Sequence, residues 1–181
     1  MPRCVLLLLI LCLAAPAWAF VAGTNTVCDG DTLTVLDSKN TIIILRLYGI
    51  DAPEIKQAYG PRAKSKVSAL ATHNVLDVEP VDTDRYGRTV ALVRLQDGTL
   101  LNEVLVAEGL AWVYAEYCHQ DLCVRLRALE DQARRERRGL WAAANPERPA
   151  DWRRRHQTEE WYQAPVRVLR GAAKSLVKVL R

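Results

Sequence analysis

No stretch of the 181-residue chain reaches the roughly twenty consecutive apolar residues that a membrane-spanning helix needs. A polytopic membrane protein is thereby excluded. Internal repeats and low-complexity linkers are also absent, and the composition is neither collagen-like nor that of a disordered chain. Charge of one sign is in short supply: 25 basic residues face 21 acidic ones, for a formal charge of +4. Even that small excess is local. Residues 20–162 hold 19 basic and 21 acidic side chains, whereas residues 163–181 hold five basic and none acidic. The body of the chain therefore does not coat nucleic acid through bulk charge.

The longest apolar stretch, residues 5–13, follows Arg3 and leads into Ala17-Trp18-Ala19. A positive start, about ten apolar residues and a small-x-small end have the form of a signal peptide, with cleavage expected after Ala19. Export to a periplasm or beyond is the corresponding expectation. Removal of residues 1–19 takes Cys4 and Cys12 and leaves Cys28, Cys118 and Cys123. In an oxidising compartment the closely spaced Cys118 and Cys123 are expected to pair. The rival is a metal knuckle around His119, which lacks a second ligand pair. Cys28, among apolar neighbours, reads as a small buried hydrophobe.

Strand-like segments with β-branched residues occupy 21–27, 33–36, 41–47, 75–81 and 89–95, separated by turn signals such as Asp29-Gly30, Asp37–Asn40, Asp84–Gly87 and Asp97-Gly98. Helices are expected over 61–72, 101–108 and 122–138, the last two stopped by Gly109 and Gly139. The sum is an α+β, mainly β chain: a small five-stranded barrel with three helices packed around it. Residues 20–160 form the domain, and 161–181 form a basic amphipathic tail with Val166, Leu169, Ala173, Leu176 and Leu180 at helical spacing. That tail suits docking on the barrel, an anionic membrane surface or added grip on nucleic acid.

Three clusters carry possible chemistry: Asp29-Gly30-Asp31-Thr32, the segment from Arg46 to Glu54 that includes Asp51, and Asp84-Arg85-Tyr86-Gly87-Arg88. Taken singly, each reads as an ordinary polar turn. Together they place Asp31, Asp51, Glu54, Arg46 and Arg88 at strand ends that one face of a barrel can bring together. Gathered carboxylates repel one another unless a cation joins them, and oxygen donors without His or Cys suit Ca²⁺ or Mg²⁺. Guanidinium forks match phosphate oxygens. A spare carboxylate orients or deprotonates water. This is equipment for metal-assisted hydrolysis of a phosphate ester.

These motifs, in this order, resemble the staphylococcal nuclease family, and the likeness continues through Asn102–Val106, 108–111 and 138–141. The resemblance covers roughly residues 20–155. It implies an OB-type five-stranded Greek-key barrel with three helices, and a calcium-dependent nuclease acting on DNA, RNA or both, with single strands favoured and 3′-phosphate ends left. Residue by residue it implies that Asp31, Asp51 and the Ala52 carbonyl hold Ca²⁺, with Asp29 beside them. Arg46 and Arg88 then stabilise the phosphate and its developing charge, and Glu54 serves the attacking water. Arg85 and Tyr86 hold a terminal phosphate, and Tyr117 stacks on a base. The family's two wall tyrosines are separated by one residue, whereas Tyr114 and Tyr117 are separated by two; Tyr114 accordingly reads as a core residue. A monomer is favoured. The alternative is a non-catalytic OB module that binds nucleic acid, against which the complete set of acids and arginines argues.

Overall fold

The computed structural model describes residues 19–119 and 121–156. The expected signal segment, apart from Ala19, and the tail 161–181 lie outside the described residues. Five strands close into a barrel: β1 (Phe20–Val27), β2 (Thr32–Leu36), β3 (Ile42–Leu47), β5 (Val75–Thr83) and β6 (Thr89–Arg94). Around the barrel the order is β1-β2-β3-β6-β5. All neighbours are antiparallel except β3 and β6, which run parallel with Arg46 opposite Val90. Such a pairing needs a long connection, which α1 (Gly60–Ala71) and β5 provide.

Closure leaves no free sheet edge in the barrel and turns alternate side chains inward. Leu33, Val35, Leu45, Leu47, Leu76, Val78, Ala91 and Val93 fill the interior. Helices α2 (Leu101–Ala107) and α3 (Leu122–Arg135) pack on one another and extend this core through Leu101, Leu105, Leu122 and Leu126. No helix among the described residues is long and apolar enough to cross a membrane.

One buried polar side chain joins the barrel to α2. Asn102 donates from Nδ2 to the Tyr48 carbonyl at 2.9 Å, and its Oδ1 accepts from the Val93 N–H at 3.2 Å. It thereby satisfies backbone groups where β3 and β6 run out of partners.

The helix count departs from the sequence expectation. Besides α1–α3 there is a fourth helix, α4 (Pro149–Arg155), and α3 ends at Arg135, not at residue 138. Proline in the first turn starts α4, but seven residues are too few to show a clear apolar period. A two-stranded ladder also forms between β4 (Ile50–Asp51) and β7 (Trp112–Val113). It fastens the Asp51 turn to the segment carrying Tyr114 and Tyr117. Trp112 and Trp141 pack edge to face, 4.3 Å between ring centres, with the Arg134 guanidinium 3.8 Å from the Trp141 ring centre. Trp141 is thus a packing residue.

Candidate nucleic-acid cleavage site

The Asp29–Thr32 turn is built by its own first carboxylate. Asp29 Oδ1 accepts from the backbone N–H groups of Asp31 and Thr32 at 2.9 and 2.7 Å, which closes the turn and aims Asp31 inward. Burial pushes the Asp29 carboxyl above its ordinary range, against the opposing pull of Arg46 and of the Thr32 bonds. Gly30 is needed here because the turn lies on its neighbours: a Cβ would stand 2.6 Å from that of Ala63 and 2.7 Å from that of Ala52. Asp31, 1% exposed, reaches across to the second cluster, where its Oδ2 accepts the Ala52 N–H at 2.6 Å.

The second cluster leaves the barrel at the end of β3. Arg46 pairs with Thr32 in the β2–β3 ladder, so its guanidinium stands over the first turn. It forms an ion pair with Asp31 through Nη1, and with Asp51 through Nη2 at 2.7 Å. Asp51 is buried, and Glu54 follows in the turn, half-buried. Burial pushes the Glu54 carboxyl above its ordinary range, outweighing the hydrogen bond it accepts from a third arginine.

That arginine is Arg153, on α4. Its Nη1 and Nη2 donate to the two Asp51 oxygens at 3.1 and 2.9 Å, and Nη1 also donates to Glu54 Oε1 at 2.7 Å. Its hydrogen bonds to these acids, and their charge, hold it protonated beyond the ordinary arginine range in spite of burial. The helix is anchored nearby. Gln57 donates to the Glu147 carbonyl at 2.8 Å while its Oε1 accepts the Glu54 N–H at 3.2 Å, and Trp152 is buried. The sequence reading missed Arg153. Its one signal was a proline-started basic turn some hundred residues from the acids it meets.

The third cluster is a tight hairpin. Asp84 Oδ1 accepts from the N–H groups of Tyr86 and Arg88 at 2.9 and 3.0 Å, and Oδ2 accepts from Arg88 Nε at 2.6 Å. The Arg85 and Arg88 guanidiniums lie 4.8 and 5.5 Å from the centre of the Tyr86 ring.

A cleft of about 420 Å³ runs from Arg46 to the third cluster, lined also by Arg85, Tyr86, Arg88, Tyr114 and Tyr117. Tyr114 is not the core residue expected. It lines this cleft beside Tyr117, with ring centres 4.7 Å apart, because the β4–β7 ladder draws its backbone to Gly49, whose carbonyl accepts the Tyr114 N–H at 2.9 Å. Burial and the Asp51 charge raise the pKa of its hydroxyl. Cys118 and Cys123 form a disulfide at the end of this segment, which removes the knuckle alternative.

The structure thus brings Asp31, Asp51, Ala52, Glu54 and Arg46 into one bonded group, with Asp29 beneath it and Arg85, Tyr86, Arg88 and Tyr117 around the adjoining cleft. A divalent cation is consistent with the donor set. Two buried carboxylates and a peptide carbonyl offer hard oxygens, though only part of the six to eight that Ca²⁺ takes. Among the described residues no three His, Cys, Asp or Glu side chains are grouped so as to hold a metal ion by themselves, so water and phosphate oxygens would supply the rest.

Comparison with known proteins gives the same direction. Residues 44–143 match the family model described as staphylococcal nuclease homologue. A micrococcal nuclease of Shigella flexneri is 37% identical over 161 residues, covering 84% of this chain and 91% of that protein. An uncharacterized endonuclease of Escherichia coli O157:H7 is 40% identical over 129 residues, 71% of this chain and 82% of that protein. A staphylococcal-like nuclease of Arabidopsis thaliana is 40% identical over 110 residues, but these make up 33% of its length. With the barrel, the three motifs and these relatives in agreement, the chain belongs to the staphylococcal nuclease family.

Proposed function

We propose that this chain is a calcium-dependent nuclease that hydrolyses phosphodiester bonds of DNA, RNA or both by in-line attack of water. The observation that carries this reading is the group in which Arg46 bridges Asp31 and Asp51 and Glu54 is tied to Asp51 through Arg153, set against a cleft that also holds Arg88. Asp31, Asp51 and the Ala52 carbonyl are the groups that would hold the ion. When bound, calcium would polarise a phosphoryl oxygen and offset its charge. Arg46, already oriented by two aspartates, donates to the phosphate. Glu54 accepts the proton of the attacking water, a role that its raised proton affinity favours. Arg88, aimed by Asp84, stabilises charge on the equatorial and leaving oxygens. These donors act more strongly on the transition state than on the diester, which is the source of the rate enhancement.

Arg85 and Tyr86 hold a terminal phosphate in this reading, and the tyrosine pair 114/117 is the face on which a base stacks. Rupture of the 5′ P–O bond leaves a 3′-phosphate. A secreted or periplasmic location fits the leader-like N-terminus and the disulfide. Digestion of heat-denatured DNA and of RNA in Ca²⁺ or in EDTA tests the reading. Cleavage only with Ca²⁺, ending in 3′-phosphates, is expected. Cleavage that survives EDTA overturns the calcium role, and binding without any cleavage leaves the OB binding module.

A further inference from the structure

Arg153 stands among the catalytic acids without a part in the mechanism above. We propose that it is a built-in counter-cation for the metal-binding carboxylates, and that it sets how tightly the site takes calcium. The proposal rests on the calcium reading of the site.

Three acids are linked there through two arginines, Asp31 and Asp51 buried and Glu54 half-buried. Arg46 reaches Asp31 and Asp51, and Arg153 reaches Asp51 and Glu54. Each guanidinium thus bridges a neighbouring pair, and Asp51 is shared, so two positive charges face three carboxylates. Buried like charges repel strongly. This is why a divalent ion suits the site, and equally why a guanidinium settles there without one.

The two occupants draw on the same lone pairs. A bidentate fork uses both oxygens of Asp51, and metal ligation needs at least one of them. Asp51 Oδ1 already accepts from both Arg46 and Arg153, which fills its two lone pairs, so with Arg46 in place ligation through that oxygen requires Arg153 to turn away, and the same movement takes its Nη1 from Glu54 Oε1. The acid that serves the water is released as the metal site is vacated by the guanidinium. The helix need not move for this. Its hold is through buried Trp152 and through the link from Gln57 to Glu147, neither of which involves the Arg153 side chain.

Arg153→Met keeps the length and packing of the stem and removes the charge. Calcium titration by calorimetry and thermal melting, each on the full chain, read the outcome. The expected result is a Kd for Ca²⁺ at least tenfold tighter than in the native protein, about 1.4 kcal/mol. It is accompanied by melting roughly 5–10 °C lower in EDTA, because the acids lose a partner. Arg153→Lys, which offers a point charge in place of a fork, should give an intermediate Kd. An Arg153 that served only to brace the fold would lose stability and calcium affinity together. An unchanged or weaker Kd in Arg153→Met therefore overturns the proposal. If that variant does not fold, a Kd in Arg153→Lys equal to or weaker than native overturns it. Absence of calcium binding by the native protein is a different result: it removes the calcium reading of the site, and this proposal with it.

Discussion

The Sγ of Cys118 lies directly against Gly49: a Cβ built on that glycine would stand 2.7 Å from the sulfur. Gly49 has φ of +74°, a left-handed conformation that bends the chain from β3 into β4 and so aims Asp51. The disulfide therefore packs under the bend that carries the acids, and the neighbouring Tyr48 hydroxyl accepts the His119 N–H at 2.9 Å. Gly49→Ala should destabilise the protein by about 2–4 kcal/mol, combining backbone strain with overpacking. In a background with Cys118→Ala and Cys123→Ala the same substitution should cost less, since the sulfur contact is gone while the strain and the 3.2 Å approach to Leu126 remain. Urea unfolding of the four proteins gives the coupling, and equal costs in both backgrounds would show that the disulfide does not brace the bend.

Glu54→Gln removes the proton acceptor and leaves the shape of the side chain. Cleavage should slow by about 10²–10⁴-fold. Arg46→Ala removes a donor aligned on the phosphate and should slow it by about 10²–10³-fold or more. Both proteins should keep native circular dichroism in Ca²⁺. Native rates in both variants would remove these residues from the mechanism.

The Arg88 hairpin should be sensitive to acid. Burial favours the neutral form of Asp84, but the hydrogen bonds and charge of Arg88 and the Tyr86 N–H prevail and hold its pKa below the ordinary 3.8. A depressed folded-state pKa contributes stability that is fully present above the unfolded value and is lost as pH falls through the folded one. Asp84→Asn should therefore be less stable than native by about 0.5–1 kcal/mol at pH 7, and the gap should close below about pH 3–4. Denaturant midpoints across that range check it. A gap independent of pH would mean that the carboxylate charge is not what holds Arg88.

Cys28 should be inert in the folded protein. Burial, reinforced by the charge of Asp29, pushes its thiol up to about 11, so very little thiolate exists at neutral pH. Iodoacetamide at pH 7.5 should label it far more slowly than in 6 M guanidinium, by at least tenfold, as followed by mass spectrometry. Equal rates would place the thiol in open solvent.

Much of the barrel was legible because its signals are local. A strand with one buried face repeats every two residues, and an Asp-Gly or Asp-x-x-Gly turn is complete within four. All five barrel strands and three of the helices follow such windows. The acid and arginine motifs share this property: Asp29 shapes the turn that carries Asp31, and Asp84 holds Arg88, in each case within a few positions. Helix α4 has no such signal. Seven residues span two turns, and Pro149 marks a start without showing a face.

Read alone, the chain determined the alternation that makes a barrel, the turns that close it, and the identities of the acids and arginines placed at its strand ends. Tertiary structure decided which of those groups touch. The parallel union of β3 with β6, the ladder that draws Tyr114 to the cleft beside Tyr117, and the fork of Arg153 on Asp51 each join residues far apart in sequence. The reason is physical. A turn is stabilised by bonds among adjacent residues, whereas a contact across 102 positions exists only after a closed barrel and a buried tryptophan have brought two surfaces together.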